Sequence, residues 1–172
     1  SGADLSGADL SGADLSGAVL SGLDLRETNL LGANLQGAWL EGAVLSGLDL
    51  RETNLLGAKL NGADLEDVNL EWNTLRTYFN GANLKGANLE GADLSTCWLH
   101  NADLSGANLE NASLRYSKLY SADLSGANLE NANLENANLE NANLESANVK
   151  NVHLKSANLK NAHLTGADLG HT

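Results

Sequence analysis

Cys97 and the histidines His100, His153, His163 and His171 are the side chains best suited to nucleophilic or metal chemistry, and their spacing supports neither. His153 and His163 stand two five-residue repeats apart, which places them on opposite faces of the coil derived below. His100 is far from both along the chain, and His171 lies on the tail. Cys97 falls where the repeat puts a small inward side chain, so it reads as core and not as a nucleophile. The 22 carboxylates are spread by the repeat and not paired in a cleft, and the 18 glycines follow a turn period and not the spacing of a phosphate-binding loop. A rod with a filled core offers no concave pocket for a substrate. The expectation is a protein that is not an enzyme, with no catalytic residue, no metal site and no cofactor.

The elements that carry these residues follow from the repeat. Leucine occupies every fifth position from Leu5 to Leu75, and again from Leu84 to Leu169 with Val149 in one slot. Between the two runs lies "RTYFNGAN", one residue short, with Phe79 in the missing central slot. A small residue, usually Ala, sits two positions before each centre, as at Ala8, Ala33, Ala82 and Ala127. Asp or Asn most often sits one position before it. A period of five matches neither the 3.6 of a helix nor the 2 of an ordinary strand. Asn, Asp, Ser and Gly are too frequent for a helix interior. The leucine content is too high for disorder. Short extended sides joined by turns satisfy the pattern, with Ala and Leu, two apart, both pointing inward. Stacked coils then pair their backbones about 4.8 Å apart.

A stretch such as "SADLSGANLENA" at 121–132 resembles the pentapeptide repeat family, whose motif centres on Leu or Phe with Ala two before it. The resemblance covers essentially the whole chain. It implies an all-β fold, a right-handed quadrilateral parallel β-helix with four pentapeptides per coil. The 34 units would make about eight and a half coils, a rod roughly 40 Å long. The expected organisation is one continuous β-helix over 1–172, with the one-residue irregularity at 76–79 absorbed at a corner. Glycine or asparagine two residues after the centre suits the positive φ of a type II turn. At Glu27, Glu52, Asp67, Trp72, Thr96, Tyr116, Ser121, Ser146 and Ser156 other residues stand there, and a different turn type is expected at most of those corners. Asn73 and Thr77 replace Ala at the inward position beside the deletion, and a buried Asn73 amide needs a hydrogen-bond partner.

Four units per coil stack residues 20 apart, or 19 apart across the deletion. One column then reads Val19, Trp39, Lys59, Tyr78, Trp98, Lys118. It is either decoration of a solvent face or a partner-binding stripe made of Trp39, Lys59, Tyr78, Trp98 and Lys118, in which neighbouring rings and ammonium groups form a cation–π ladder. A second column is acidic: Glu71, Glu90, Glu110 and Glu130. It is a tolerated solvated stripe or an edge for a cation or a basic partner. "VLSGLDLRETNLLGA" occurs at 19–33 and again at 44–58, five sides apart, so the copies are rotated by one face. Such a duplication keeps the fold and ignores any surface.

Net charge of −12 argues against direct nucleic-acid binding, which needs clustered Lys and Arg. No apolar run approaches the roughly 20 residues of a spanning helix, so no membrane is expected as a partner. A single cysteine leaves the redox compartment open. The chain starts in mid-repeat at Ser1 and is cytoplasmic if the native start carries no signal. The residues point to a structural or protein-interaction scaffold with an unknown protein partner. The resemblance implies an alternative, since some family members mimic B-form DNA and bind type II topoisomerases such as gyrase. Uneven charge weighs against it, with 12 acids and 3 bases in residues 1–75 but 10 and 7 in residues 76–172. The ends carry a further expectation. The first inward pair is Ala3 and Leu5, and Asp4, Asp9, Asp14 and Asp24 load the start with acid, while Lys150, Lys155 and Lys160 load the finish with base. Weak end-to-end self-association follows, weakening with salt if it is head-to-tail.

Overall fold

The computed structural model describes residues 4–71, 73–75 and 77–170. The expectations placed on Ala3, Trp72, Arg76 and His171 lie outside the described residues. The chain winds as a coil whose parallel bridges join residues 20 apart, as Val19↔Trp39 and Asn128↔Asn148, or 19 apart across the deletion, as Lys59↔Tyr78 and Thr74↔Asp93. Four pentapeptides therefore make one turn of the coil. Each side is so short that one residue forms the bridge, with turns immediately before and after it. Side I carries Val19, Trp39, Lys59 and Tyr78; side II Asp24, Val44, Asp64 and Asn83; side III Asp49, Asn69 and Asn88; side IV Asn34, Asn54 and, one coil on, Thr74.

Most central leucines donate their N–H to the coil that follows, as Leu35 to the Asn54 carbonyl at 2.8 Å, and the bridging residue donates back, as Asn54 to the Ala33 carbonyl at 2.9 Å. Inside, leucines and alanines stack in columns and are buried from Leu25 through Leu144. One residue of each five, the Asp or Asn before the centre, has a reason that periodicity did not reveal. Its Oδ1 accepts the N–H two residues on, as Asp4 from Ser6 at 3.0 Å and Asn138 from Glu140 at 3.1 Å. The same oxygen takes an amide N–H from the coil that follows, as Asp123 from Asn143 at 3.0 Å and Asn128 from Asn148 at 2.9 Å. One oxygen with two lone pairs thus holds a corner and joins two coils.

The turns correct the sequence reading. Corners close with a bond from the inward small residue to the preceding leucine, as Ala8 N–H to the Leu5 carbonyl at 2.9 Å. The third turn residue lies in the left-handed region at Glu52, Asp67, Thr96, Tyr116, Ser121, Ser146 and Ser156, with φ between 53° and 63°. Only Glu27, of the described exceptions, stays out of it. Left-handed backbone costs a non-glycine residue about 1 kcal/mol or more. What outweighs this is the stack. At Asp67, Thr96, Tyr116, Ser121 and Ser146 the same residue donates its N–H to the following coil, as Thr96 to Arg115 at 2.9 Å and Tyr116 to Glu135 at 3.0 Å. At Glu27 the pattern shifts by one: Gly7 bonds the Glu27 carbonyl, where Gly32 bonds that of Arg51. A flipped central peptide, the difference between type I and type II turns, moves the acceptor in this way.

The parallel bridges continue on both sides of the deletion. Two residues, not three, separate Leu75 from the bridging Tyr78, and side I continues through Lys59↔Tyr78↔Trp98. Phe79 is buried in the inward column and donates to the Trp98 carbonyl at 2.7 Å. Thr77 donates its N–H to the Cys97 sulfur at 3.2 Å, so the buried Cys97 is core. Thr53, Asn73 and Thr77 at the inward position share one device, the side chain donating to the carbonyl that opened a turn in the preceding coil, whereas Ser117 donates to the Leu114 carbonyl of its own turn at 2.7 Å. Thr53 bonds Leu30 at 2.9 Å, Asn73 bonds Leu50 at 2.8 Å, and Thr77 bonds Leu55 at 2.7 Å.

The corner carboxylates make stability depend on acid. The Arg26 side chain, hydrogen-bonded to Asp24, holds that carboxyl down at about 2, with the Arg26 N–H assisting. Arg51 lowers Asp49 in the same way. A carboxyl with a depressed folded pKa stabilises above its unfolded value, near 4, and loses that contribution as pH falls through the folded value. Thermal midpoints followed by circular dichroism should therefore drop steeply between about pH 4 and 2. A midpoint that stays flat from pH 5 to 2 would show that these bonds persist in the unfolded chain.

Candidate partner-binding face

Side I gathers the stripe as the 20-residue register predicts. Bridges run without a break through Val19, Trp39, Lys59, Tyr78, Trp98 and Lys118, one rung per coil. The rings stand clear of the rod, with Trp39 47% exposed, Tyr78 39% and Trp98 40%. Each lysine lies back over the tryptophan one coil before it: Lys59 Nζ is 3.3 Å from the Trp39 ring centre and Lys118 Nζ 4.1 Å from that of Trp98. Tyr78 meets Trp98 edge to face at 5.6 Å.

The surface is wider than the column. Trp98 stacks with His100 at 5.8 Å, and His100 meets Tyr120 at 6.3 Å. On the other border Arg115 lies against Tyr116. Sequence reasoning missed these four. His100 and Tyr120 are 20 apart and one residue past the centre, so the same register arithmetic applied to that position finds them.

Charge sets this face apart. Arg26, Arg51, Lys85, Arg115, Lys150, Lys155 and Lys160 each have a carboxylate oxygen within 4.0 Å. Among the described residues Lys59 and Lys118 make no such pair, in a chain with 22 acids. The cations without a carboxylate are the two held on the aromatic rings.

The acidic column is also where the register puts it, at the corner that follows side III. Its carboxylates are separated by amides. Asn108 donates to Glu90 at 3.3 Å, Asn128 to Glu110 at 3.2 Å and Asn148 to Glu130 at 3.1 Å. The Glu71 backbone N–H donates to Asn69 Oδ1 at 3.2 Å. Lys150 ends the column, its ammonium 2.9 Å from Asp168, which raises its pKa with help from Glu130. The donors reduce the repulsion that a bare stack of carboxylates would suffer. Among the described residues no group of three His, Cys, Asp or Glu side chains could hold a metal, and no helix is long and apolar enough to cross a membrane. His153 bridges Asn133 on side IV and His163 bridges Asn143 on side II, so the two face apart.

Comparison with known proteins places this geometry. The profile of the Pentapeptide repeats family matches in eight copies, across residues 1–38, 28–67, 73–101, 97–131, 122–161 and 132–170. The chain belongs to the pentapeptide repeat family, whose fold is the right-handed β-helix. Among solved structures it is similar to full-length QnrB1, a plasmid-mediated fluoroquinolone resistance protein, at 18% identity over 95% of this chain and 92% of that one, with a TM-score of 0.53. It is also similar to Rfr23 from the cyanobacterium Cyanothece 51142, at 39% identity over 62% of this chain and 64% of that one, with a TM-score of 0.48. A third similar structure is HetL, involved in heterocyst differentiation regulation in the cyanobacterium Nostoc sp. strain PCC 7120, at 36% identity over 95% of this chain and 87% of that one, with a TM-score of 0.44. No curated protein matches the chain.

Proposed function

We propose that the chain is a non-enzymatic protein-interaction scaffold, one continuous rod of about eight and a half coils whose working surface is side I. The observation that carries this reading is the coincidence on one face of exposed rings and carboxylate-free lysines, on Trp39, Lys59, Tyr78, Trp98 and Lys118. Exposed tryptophan and tyrosine rings are among the groups that anchor protein interfaces. Rigid stacking holds them in place before a partner arrives, which lowers the entropy cost of binding. A photo-crosslinking amino acid placed at Tyr78, in the organism that makes the protein, should capture a protein, while the same group at Thr74 on side IV should not. Absence of any adduct at Tyr78 overturns the reading.

A second reading is favoured by the net charge of −12 and by the acidic column at Glu71, Glu90, Glu110 and Glu130. On it, the rod presents carboxylates to a type II topoisomerase, gyrase, in place of DNA phosphates. The fold shared with QnrB1 permits this without assigning it. The charge is densest in residues 1–75, with 12 acids against 3 bases, whereas Glu90, Glu110 and Glu130 of the column lie in the less acidic remainder. Inhibition of gyrase supercoiling at micromolar protein, with no binding to DNA itself, is the expected signature; supercoiling unchanged by a large excess removes this reading.

A further inference from the structure

The stripe on side I is complementary to itself when reversed. Read down the rod, its rungs are Trp39, Lys59, Tyr78, Trp98, Lys118. Read up, they are lysine, tryptophan, tyrosine, lysine, tryptophan. Two copies laid face to face and antiparallel, with the two-fold axis at Tyr78, oppose Trp39 to Lys118, Lys59 to Trp98, and Tyr78 to itself. The match needs no adjustment of spacing, because both copies share one rung height of about 4.8 Å. A closed two-fold contact of this kind uses the same patch twice and ends with the pair.

We infer that side I is the interface of an antiparallel homodimer centred on Tyr78. The inference rests on the reading of side I as the interaction face and names its occupant as a second copy. Three observations favour a second copy over an unrelated partner. Each cation faces a ring in the other copy, so Lys59 and Lys118, which lack carboxylates, gain a second aromatic neighbour. The borders agree as well. Glu41, the one carboxylate among the described residues flanking these five rungs, falls opposite Tyr120, and Asn61 falls opposite His100. One rung further out, exposed Val19 meets Asn138. No acid meets an acid along this face, while the corner after side III would set Glu71, Glu90, Glu110 and Glu130 against any like-charged neighbour. For a molecule of charge −12, side I is where two copies approach with the least repulsion.

Five rungs of one side make a small contact, below the roughly 1,200 Å² of stable complexes, so dissociation near 0.1 mM is the expected scale. Sedimentation equilibrium of the whole chain should show a monomer–dimer transition in that range. The Lys59→Glu/Lys118→Glu variant should weaken it by at least about tenfold, since the two-fold axis doubles each loss. Position is tested separately with Tyr78→Cys in a Cys97→Ala background, where alanine is the usual inward residue. Mild oxidation should link Tyr78→Cys to itself, and Thr74→Cys on side IV should stay monomeric. Association without the Tyr78→Cys disulfide overturns the two-fold arrangement, as a lateral contact with the acidic corner would produce. A monomer at millimolar concentration with no disulfide overturns the dimer. If the photo-crosslink at Tyr78 then captures a different protein, the interaction face stands and only its occupant is wrong. If it captures nothing, both fall.

Discussion

Replacing Phe79 with alanine should lower the unfolding free energy by about 4 kcal/mol, the range for emptying an aromatic site in a packed core. Phe79 is fully buried, and it is the one aromatic in a column of leucines, between Leu60 and Leu99. It stands beside the corner that is a residue short. Phe79→Leu should cost far less, about 1 kcal/mol, because most of the volume remains. Urea unfolding of the two variants would measure the difference. An alanine variant within 1 kcal/mol of the parent would mean that the coil collapses around the gap and that the ring is not a spacer. Because Tyr78 is the next residue, the alanine variant should also loosen the side I stripe, which the leucine variant should leave in place.

The architecture was legible because its signals are local and repeated. A leucine every five residues and an alanine two before it specify a coil and its core, the resemblance to the pentapeptide repeat family implies four units per coil, and the bridges from Val19 to Lys118 follow that register. The surface was legible to the extent that one column could be read alone. Trp39, Lys59, Tyr78, Trp98 and Lys118 came out because they occupy one position of the repeat. His100 and Tyr120 did not, since they stand on the far side of the central leucine, where His100 meets Trp98 and Tyr120 meets His100. Turn geometry was misread for a physical reason. Residue preference at Thr96 or Tyr116 speaks of one corner in isolation, whereas the N–H bonds to Arg115 and Glu135 come from a coil 19 residues away. Local propensity is worth tenths of a kilocalorie to about 1 kcal/mol, and a ladder bond repeated in every coil outweighs it. The acidic column shows the same limit. Its neighbours in sequence say nothing of Asn108, Asn128 and Asn148, whose amides reach back from the following coil.

Asn73 gives the second large effect, and for one substitution its size depends on pH. The side chain is buried, its Nδ2 donates to the Leu50 carbonyl at 2.8 Å and its Oδ1 accepts the Thr74 N–H at 3.0 Å. Asn73→Ala removes both. Leu50 keeps its bond from Thr53 at 3.1 Å, so the main loss is the stranded Thr74 N–H, about 1–2 kcal/mol. Asn73→Asp is worse at neutral pH. It turns the donor facing the Leu50 carbonyl into a second acceptor and places a charge in the core, and about 3 kcal/mol is the expected loss. Burial raises the pKa of that new carboxyl in the folded state above its unfolded value. The penalty is therefore full above the folded pKa and shrinks as pH falls through it, because the protonated acid can donate to Leu50 again. The gap between variant and parent should narrow measurably from pH 7 to about pH 5, above the range where the parent itself loses stability. Asn73→Thr completes the test. Thr53 and Thr77 already bond the carbonyls of Leu30 and Leu55 from the same inward position, so threonine should hold Leu50 and cost less than alanine does. Equal losses for alanine, aspartate and threonine, independent of pH, would mean that only the fit of the amide matters and that the bond to the preceding coil contributes nothing.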